Sequence, residues 1–358
     1  MIRLLPRRSN DVSYFTNDPA LELDGLRHGG PGWWLRGNGD TRDPADVARV
    51  LVTSERSSVY GYDVVIAAPR PISILLAVDP EHAGGVIDAH RASVRASMAY
   101  LEDRALVVRE RRRGVERDVS ASWQGVVSFT HGLNRHGEPH LHDHVLVGAR
   151  PLDQTNVLDS RALYAHAATA DALYRASLRH ELAERTPWQA WRSFEGVERV
   201  VGLDEGYRAL WSGHHSERGE KLSWSRQETL ASWGRDHERY KSLGVVTAPR
   251  ENAHVLDEHR FAGAFEGRPD VARRHVIAAW ANAATYGQRP KLLTDAVDEL
   301  YPSLRDGKGV YERTIALRDA RMIGPVHALG PRPLERGEFD AWRQRSREMV
   351  RSREGRSR

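Results

Sequence analysis

Five of the seventeen histidines fall between residues 131 and 144. The segment runs Phe129-Thr130-His131-Gly132-Leu133-Asn134-Arg135-His136-Gly137-Glu138-Pro139-His140-Leu141-His142-Asp143-His144. Side chains alternate between the faces of a β-strand, so His142 and His144 point the same way. In the strand before them, Trp123, Gly125, Val127, Phe129 and His131 share one face by the same alternation. Residues 132–139 carry Asn, Gly and Pro, enough to bring the chain back antiparallel. That brings His131 beside His142 and His144. Three imidazoles on neighbouring strands suit one divalent ion and leave coordination positions open. His140 has the same parity but follows Pro139 at the start of the strand, so it ranks fourth as a ligand. His136 falls at the loop tip. Neutral imidazoles fit Zn, Ni or Mn better than calcium. Beside a phosphodiester such an ion would act as a Lewis acid on a phosphoryl oxygen. A carbonic-anhydrase-like hydrolase also uses three histidines, so the ligand set alone leaves the reaction open.

The elements around this hairpin are read from periodicity. Residues 62–68 read as a buried strand stopped by Pro69, and 104–110 and 115–131 as strands flanking a turn at Arg113-Gly114. A strand over 140–148 completes the set. Helices are expected over 71–78, 85–105 and 161–185, the last with Ser160 as N-cap. Others are expected near 203–214, 225–240, 270–284 and 290–300. No βαβ rhythm is present. The fold class is therefore α+β, a central antiparallel sheet covered by helices, with a mostly helical C-terminal extension. The expected division is 1–235 for the sheet domain and 236–358 for the extension.

Composition narrows the chemistry. The chain has 358 residues, 40% hydrophobic and 28% charged, so a packed core is expected. Cysteine is absent, which excludes disulfides and thiolate metal sites. No run of apolar residues could cross a bilayer, and the cytoplasm is the expected compartment. Among 53 basic residues only Lys221, Lys241, Lys291 and Lys308 are lysine. Arginine codons of a GC-rich genome would give this bias, and so would phosphate recognition. Arg109, Arg111, Arg112, Arg113 and Arg117 form a basic hairpin, either a solvated face or a grip on a DNA backbone. Trp33 and Trp34 lie in a Gly-rich stretch, as core or as a base-stacking platform. Asp63 sits in an apolar strand and needs a partner. That partner is a ligand histidine whose tautomer it fixes, a proton it accepts, or an arginine.

The histidine segment resembles the three-histidine motif of the TrwC/TraI-type (MobF) conjugative relaxases, members of the HUH endonucleases. Their form is roughly F-x-H-x-x-S-R-x-x-D-P-x-L-H-T-H-x-x-V. Ser13-Tyr14-Phe15 is similar to the family's nucleophilic tyrosine position, and Gly61 to Pro69 to its strand with an acidic residue. Asp88 to Val94 and Arg161 to Tyr174 resemble its helices. The likeness spans roughly residues 9–215. It implies a nickase for an origin of transfer, working through a 5′-phosphotyrosine intermediate. Tyr14 would be the nucleophile, with Tyr60 and Tyr62 as fallbacks. His131, His142 and His144 would hold a divalent ion, Mg or Mn in function, with Zn or Ni possible. Arg135 would stand near the scissile phosphate and Asp63 would serve the site. The partner would be single-stranded and hairpin DNA, and other DNA-transfer proteins could dock. Departures are Asn134 for the family Ser, Arg70-Pro71 for Lys-Ser, Asp143 between the paired histidines, and Phe15 where many relatives have a second tyrosine. No G-x-x-x-x-G-K-[ST] loop of a helicase half is found. The same metal and tyrosine chemistry would serve a rolling-circle replication initiator or transposase-like nickase, and a non-catalytic DNA-binding relative could keep the site.

Overall fold

The computed structural model describes residues 2–16, 32–33, 50–51, 53, 57–193, 196–211, 226–239, 260–261, 264–265, 268–305, 307–310 and 312–316. In chain order the elements are β1 (Ile2–Arg7), α1 (Ser13–Thr16), β2 (Gly32–Trp33), β3 (Gly61–Ala67), α2 (Arg70–Val78) and α3 (Ala83–Ala105). Next come β4 (Val107–Arg112), β5 (Val115–Ser120), β6 (Val126–Leu133), β7 (Pro139–Gly148) and α4 (Ser160–Arg185). The remainder is β8 (Ala190–Arg192), β9 (Glu198–Val200), α5 (Glu205–Leu210), α6 (Arg226–Arg239), β10 (Asp270–Ala272), α7 (Arg273–Ala283), α8 (Pro290–Leu300) and β11 (Thr314–Ala316).

Five strands form one antiparallel sheet in the order β1-β3-β7-β6-β2. Alternation divides its residues. Tyr62, Val64, Ile66, Val145 and Val147 face the helices and join the large apolar core. Val127, Phe129 and Leu146 face the other way, where they bury Val12, Phe15, Val50 and Leu51 in a smaller cluster. The α+β class is as expected, with helices on one face and the N-terminal segment on the other.

Helices α3 and α4 pack along their length because small residues line the contact. Ser97 Oγ donates to the Ala170 carbonyl at 2.9 Å, and Tyr100 Oη lies 2.8 Å from His166 Nδ1. His90 and Tyr174 meet at 2.7 Å. His90 and His166 are thus hydrogen-bonding positions between helices.

Two local expectations need correction, and one strand was missed. The expected strand over 115–131 is two strands, broken at residues 121–125, where Trp123 turns into the core. The cap of α4 is Asp159, whose carboxylate accepts from the Arg161 N–H, and not Ser160. The edge strand β1 went unread because half of its residues are exposed, only Leu4 is buried, and it carries Pro6, a residue suited to sheet edges. Phe261, Phe265, Val276, Trp280, Val297 and Leu304 belong to the same core as the sheet helices. Trp34 and the arginine-rich tail lie outside the described residues. Among the described residues no helix is long and apolar enough to cross a membrane.

Candidate metal centre

The hairpin β6–β7 sets His131 directly opposite His142, and Phe129 opposite His144. Ring centroids of His131, His142 and His144 are 5.1, 5.2 and 5.2 Å apart, close to an equilateral triangle. One nitrogen from each lies within 4.8 Å of the other two. The orientation of two rings is fixed from behind. His142 Nδ1 is 2.8 Å from the His140 carbonyl, which can only accept, so Nδ1 carries the proton. His144 Nδ1 is 2.9 and 3.0 Å from the two carboxylate oxygens of Asp63. In both rings Nε2 is then the basic nitrogen offered to an ion, the arrangement found when outer partners orient metal-binding imidazoles. Burial, and then the neighbouring His144, keep His142 neutral, with its pKa pushed down to about 4. Neutral imidazole is the metal-binding form. The residues present fit a divalent ion.

His140 is not in the group of converging ligand nitrogens, although its ring is 4.8 Å from that of His142. Between His131 and Leu133 the register advances two residues on β6 while β7 advances three, from His142 back to Pro139. That extra residue is a bulge, which breaks strict alternation where His140 sits. Burial, followed by the nearby His142 and Arg70, lowers the His140 pKa to about 3.

The hairpin tip is built by side chains that fill the positions where the sequence departs from the family form. Asn134 Oδ1 accepts from the N–H groups of His136 and Glu138 at 2.9 and 3.0 Å, closing the turn. Arg70, at the start of α2, donates to the Pro139 carbonyl at 2.7 Å and pairs with Glu138 at 3.5 Å. Trp233 of α6, buried, donates its indole N–H to the Gly137 carbonyl at 2.7 Å. Nothing in the sequence linked Trp233 to the hairpin; an isolated tryptophan on a polar helix was the one available signal. Arg135 is exposed at this tip.

On the open side of the histidines, α1 is held by Phe15. Its ring stacks on Phe129 at 5.5 Å, lies 5.2 Å from the His144 ring and takes the Arg7 guanidinium at 5.0 Å. Asp11 Oδ1 accepts from the Ser13 N–H at 2.9 Å at the start of this turn. Tyr14 is the residue before Phe15, and its side chain lies outside what the structure describes. Tyr62 packs in the core beyond the helix-facing side of the sheet, whereas Tyr60 packs against the small cluster containing Phe15.

The basic hairpin lies elsewhere. Asp159 N–H donates to the Val107 carbonyl and Leu158 N–H to Ala149, so β4–β5 adjoins the end of β7 farthest from His142. At ~3.3 Å per strand residue that end is about 13 Å from His144 and about 20 Å from His142. Arg113 and Gly114 both adopt positive φ, 53° and 83°, in the two-residue turn. Arg109 pairs with Asp159 at 2.8 Å and Arg117 with Glu110 at 3.3 Å, while Arg111 and Arg113 are exposed. The side chain of Arg112 lies outside the described set.

A family model described as TrwC relaxase matches residues 18–258. Among solved structures, the conjugative relaxase TrwC in complex with oriT DNA, copper-bound, is 18% identical with a TM-score of 0.55, covering 69% of this chain and 99% of that one. A metal-bound TrwC complex with oriT DNA gives 18% identity and a TM-score of 0.54, covering 69% and 100%. TrwC complexed with a 27-mer DNA comprising the recognition hairpin and the cleavage site gives 18% and 0.52, again covering 69% and 100%. At these identities the solved structures establish a shared fold. No curated protein matches the chain.

Proposed function

Because the chain belongs to the TrwC relaxase family, we propose that it nicks one strand of DNA at an origin of transfer by tyrosine transesterification, in the cytoplasm, for conjugative mobilisation. The observation that carries this reading is the histidine triangle with the Phe15 turn seated against it. His131, His142 and His144 would hold a divalent ion, which would supply positive charge to a phosphoryl oxygen of the scissile phosphate. Phe15 anchors the turn so that Tyr14, its neighbour, belongs to the same side of the sheet. The Tyr14 hydroxyl attacks phosphorus. A bond from phosphorus to the phenolic oxygen forms, the bond to the 3′-oxygen breaks, and that oxygen leaves as a 3′-hydroxyl after taking a proton. The 5′-phosphate stays on the tyrosine, so the bond energy is kept and the strand can be rejoined. Asp63 orients His144 through Nδ1. Arg135, exposed on the hairpin tip, offers its charge to the phosphate or its neighbours.

A labelled oligonucleotide carrying a hairpin and a single strand, incubated with Mg²⁺ or Mn²⁺, tests this. Wild type should form one covalent adduct per chain, and digestion with mass spectrometry should place the nucleotide on Tyr14. Tyr14→Phe should bind the DNA and form none. Full nicking by Tyr14→Phe would point to hydrolysis by an activated water and end the transesterase reading.

A further inference from the structure

Behind the triangle, on the helix-facing side of β7, four buried polar side chains form a continuous run that the proposed nicking chemistry does not use. Asp143, the residue between His142 and His144, is 1% exposed, and His90 and Tyr174 are fully buried. His90 Nε2 lies 3.1 Å from Asp143 Oδ1, and Tyr174 Oη lies 2.7 Å from His90 Nδ1. Ser128 Oγ donates to the other oxygen of Asp143. The acceptor-only carboxylate fixes one proton position. A carboxylate only accepts, so Nε2 of His90 carries a proton and donates to Asp143, while Nδ1 shares a hydrogen bond with the tyrosine hydroxyl. Burial disfavours the charge on Asp143, yet the pull and hydrogen bond of His90, with those of Ser128 and Thr130, hold its carboxyl below the usual carboxylate range.

Each member comes from a different element: Tyr174 from α4, His90 from α3, Ser128 from β6 and Asp143 from β7. Successive strand residues project to opposite faces, so the backbone that carries Asp143 also aims both flanking histidines. A carboxylate with donors on both oxygens permits little rotation of that backbone. We infer that Asp143, with His90 and Tyr174, is the positioning device of the metal histidines, locking the strand between His142 and His144 to both core helices. This rests on the metal reading of the triangle.

The experiment uses the full chain, titrated with Mn²⁺ by calorimetry and loaded with Cu²⁺ for electron paramagnetic resonance. Wild type that takes up neither ion ends the metal reading itself, and the variants are then not what failed. With wild type binding, Asp143→Asn should weaken Mn²⁺ by about tenfold, the lower end of what loss of outer support costs a metal site. It should also change the Cu²⁺ spectrum, because the imidazoles are re-aimed. Tyr174→Phe, which removes one distant hydroxyl, should shift both in the same direction by a smaller amount. A merely structural role would lower the melting temperature and leave both readouts alone. Unchanged Mn²⁺ affinity and an unchanged Cu²⁺ spectrum in folded Asp143→Asn overturn the inference. Should that variant fail to fold, the same lack of change in Tyr174→Phe overturns it.

Discussion

His142 and His144 each commit Nδ1 to an acceptor, so a substitution at either removes an oriented ligand atom from the triangle. His142→Ala should abolish Mn²⁺ binding at the triangle while the fold survives, since the ring is at the edge of the core; calorimetry showing wild-type affinity would remove His142 from the ligand set. Acid should act on the same group. Its pKa is about 4 in the folded chain against an ordinary 6.5. The unfolded chain therefore takes up a proton as pH falls through 6.5, and the folded chain only near 4. Between those values the unfolded state binds more protons, so stability falls as pH falls. His140, at about 3, adds to the slope. Melts of metal-free protein from about pH 7.5 to 5 should show a falling melting temperature, and His142→Gln should flatten the trend. Equal slopes in both would reject the assignment. Asp143 shows the limit of reading residues from sequence. Alternation placed His142 and His144 together because two-residue spacing is local information. Asp143 meets His90 across 53 residues of chain, and His90 meets Tyr174 across 84, and no periodicity connects them.

At the scale of elements, the centre of the sheet was legible and its margins were not. Strands β3 and β7 carry long apolar runs, which buried strands must. β1 presents exposed Arg3 and Leu5 and has nothing to alternate against. The end of β3 where it meets β7 is closed by two glycines facing each other, Gly61 and Gly148. A Cβ on Gly61 would stand 2.2 Å from the Val147 carbonyl oxygen, and one on Gly148 2.2 Å from that of Val50. Backbone cannot yield as a flexible side-chain end can. Gly61→Ala should therefore cost about 1–3 kcal/mol, the usual range for overpacking, read as a lower denaturation midpoint. An unchanged midpoint would mean the strand end shifts freely. In the β4–β5 hairpin, Arg111 and Arg113 test the phosphate grip. If they contact DNA, Arg111→Gln and Arg113→Gln should each reduce the salt dependence of binding by about one phosphate's worth. A salt slope equal to wild type in both would leave the hairpin a solvated face.

The whole molecule is more tightly joined than its sequence divides it. The family model ends at residue 258, yet buried groups of the sheet domain depend on residues beyond that point. Arg104 Nη2 donates to the Gly307 carbonyl at 2.8 Å and pairs with Glu312 at 3.2 Å. His166 Nε2 lies 3.0 Å from the Gly309 carbonyl. Arg179, fully enclosed, donates to the carbonyls of Ala281 and Ala284 at 3.1 and 2.9 Å. Removing one partner of a buried charged pair is expensive because the other is left uncompensated. A chain ended after residue 259 should therefore be insoluble, or melt far below one ended after 316. Equal melting temperatures would show that residues 260–316 are an appendage.

The run from Asp143 through His90 to Tyr174 also bears on how such a chain can change over generations. An aspartate introduced at this place without a histidine at position 90 would be a buried charge lacking its main donor, and a histidine there without the aspartate would have no acceptor. Neither single step is neutral. Among descendants of this sequence, positions 143 and 90 should exchange together, with position 174 following as Tyr or Phe. Lineages that keep threonine between the paired histidines should have some other residue where His90 stands here.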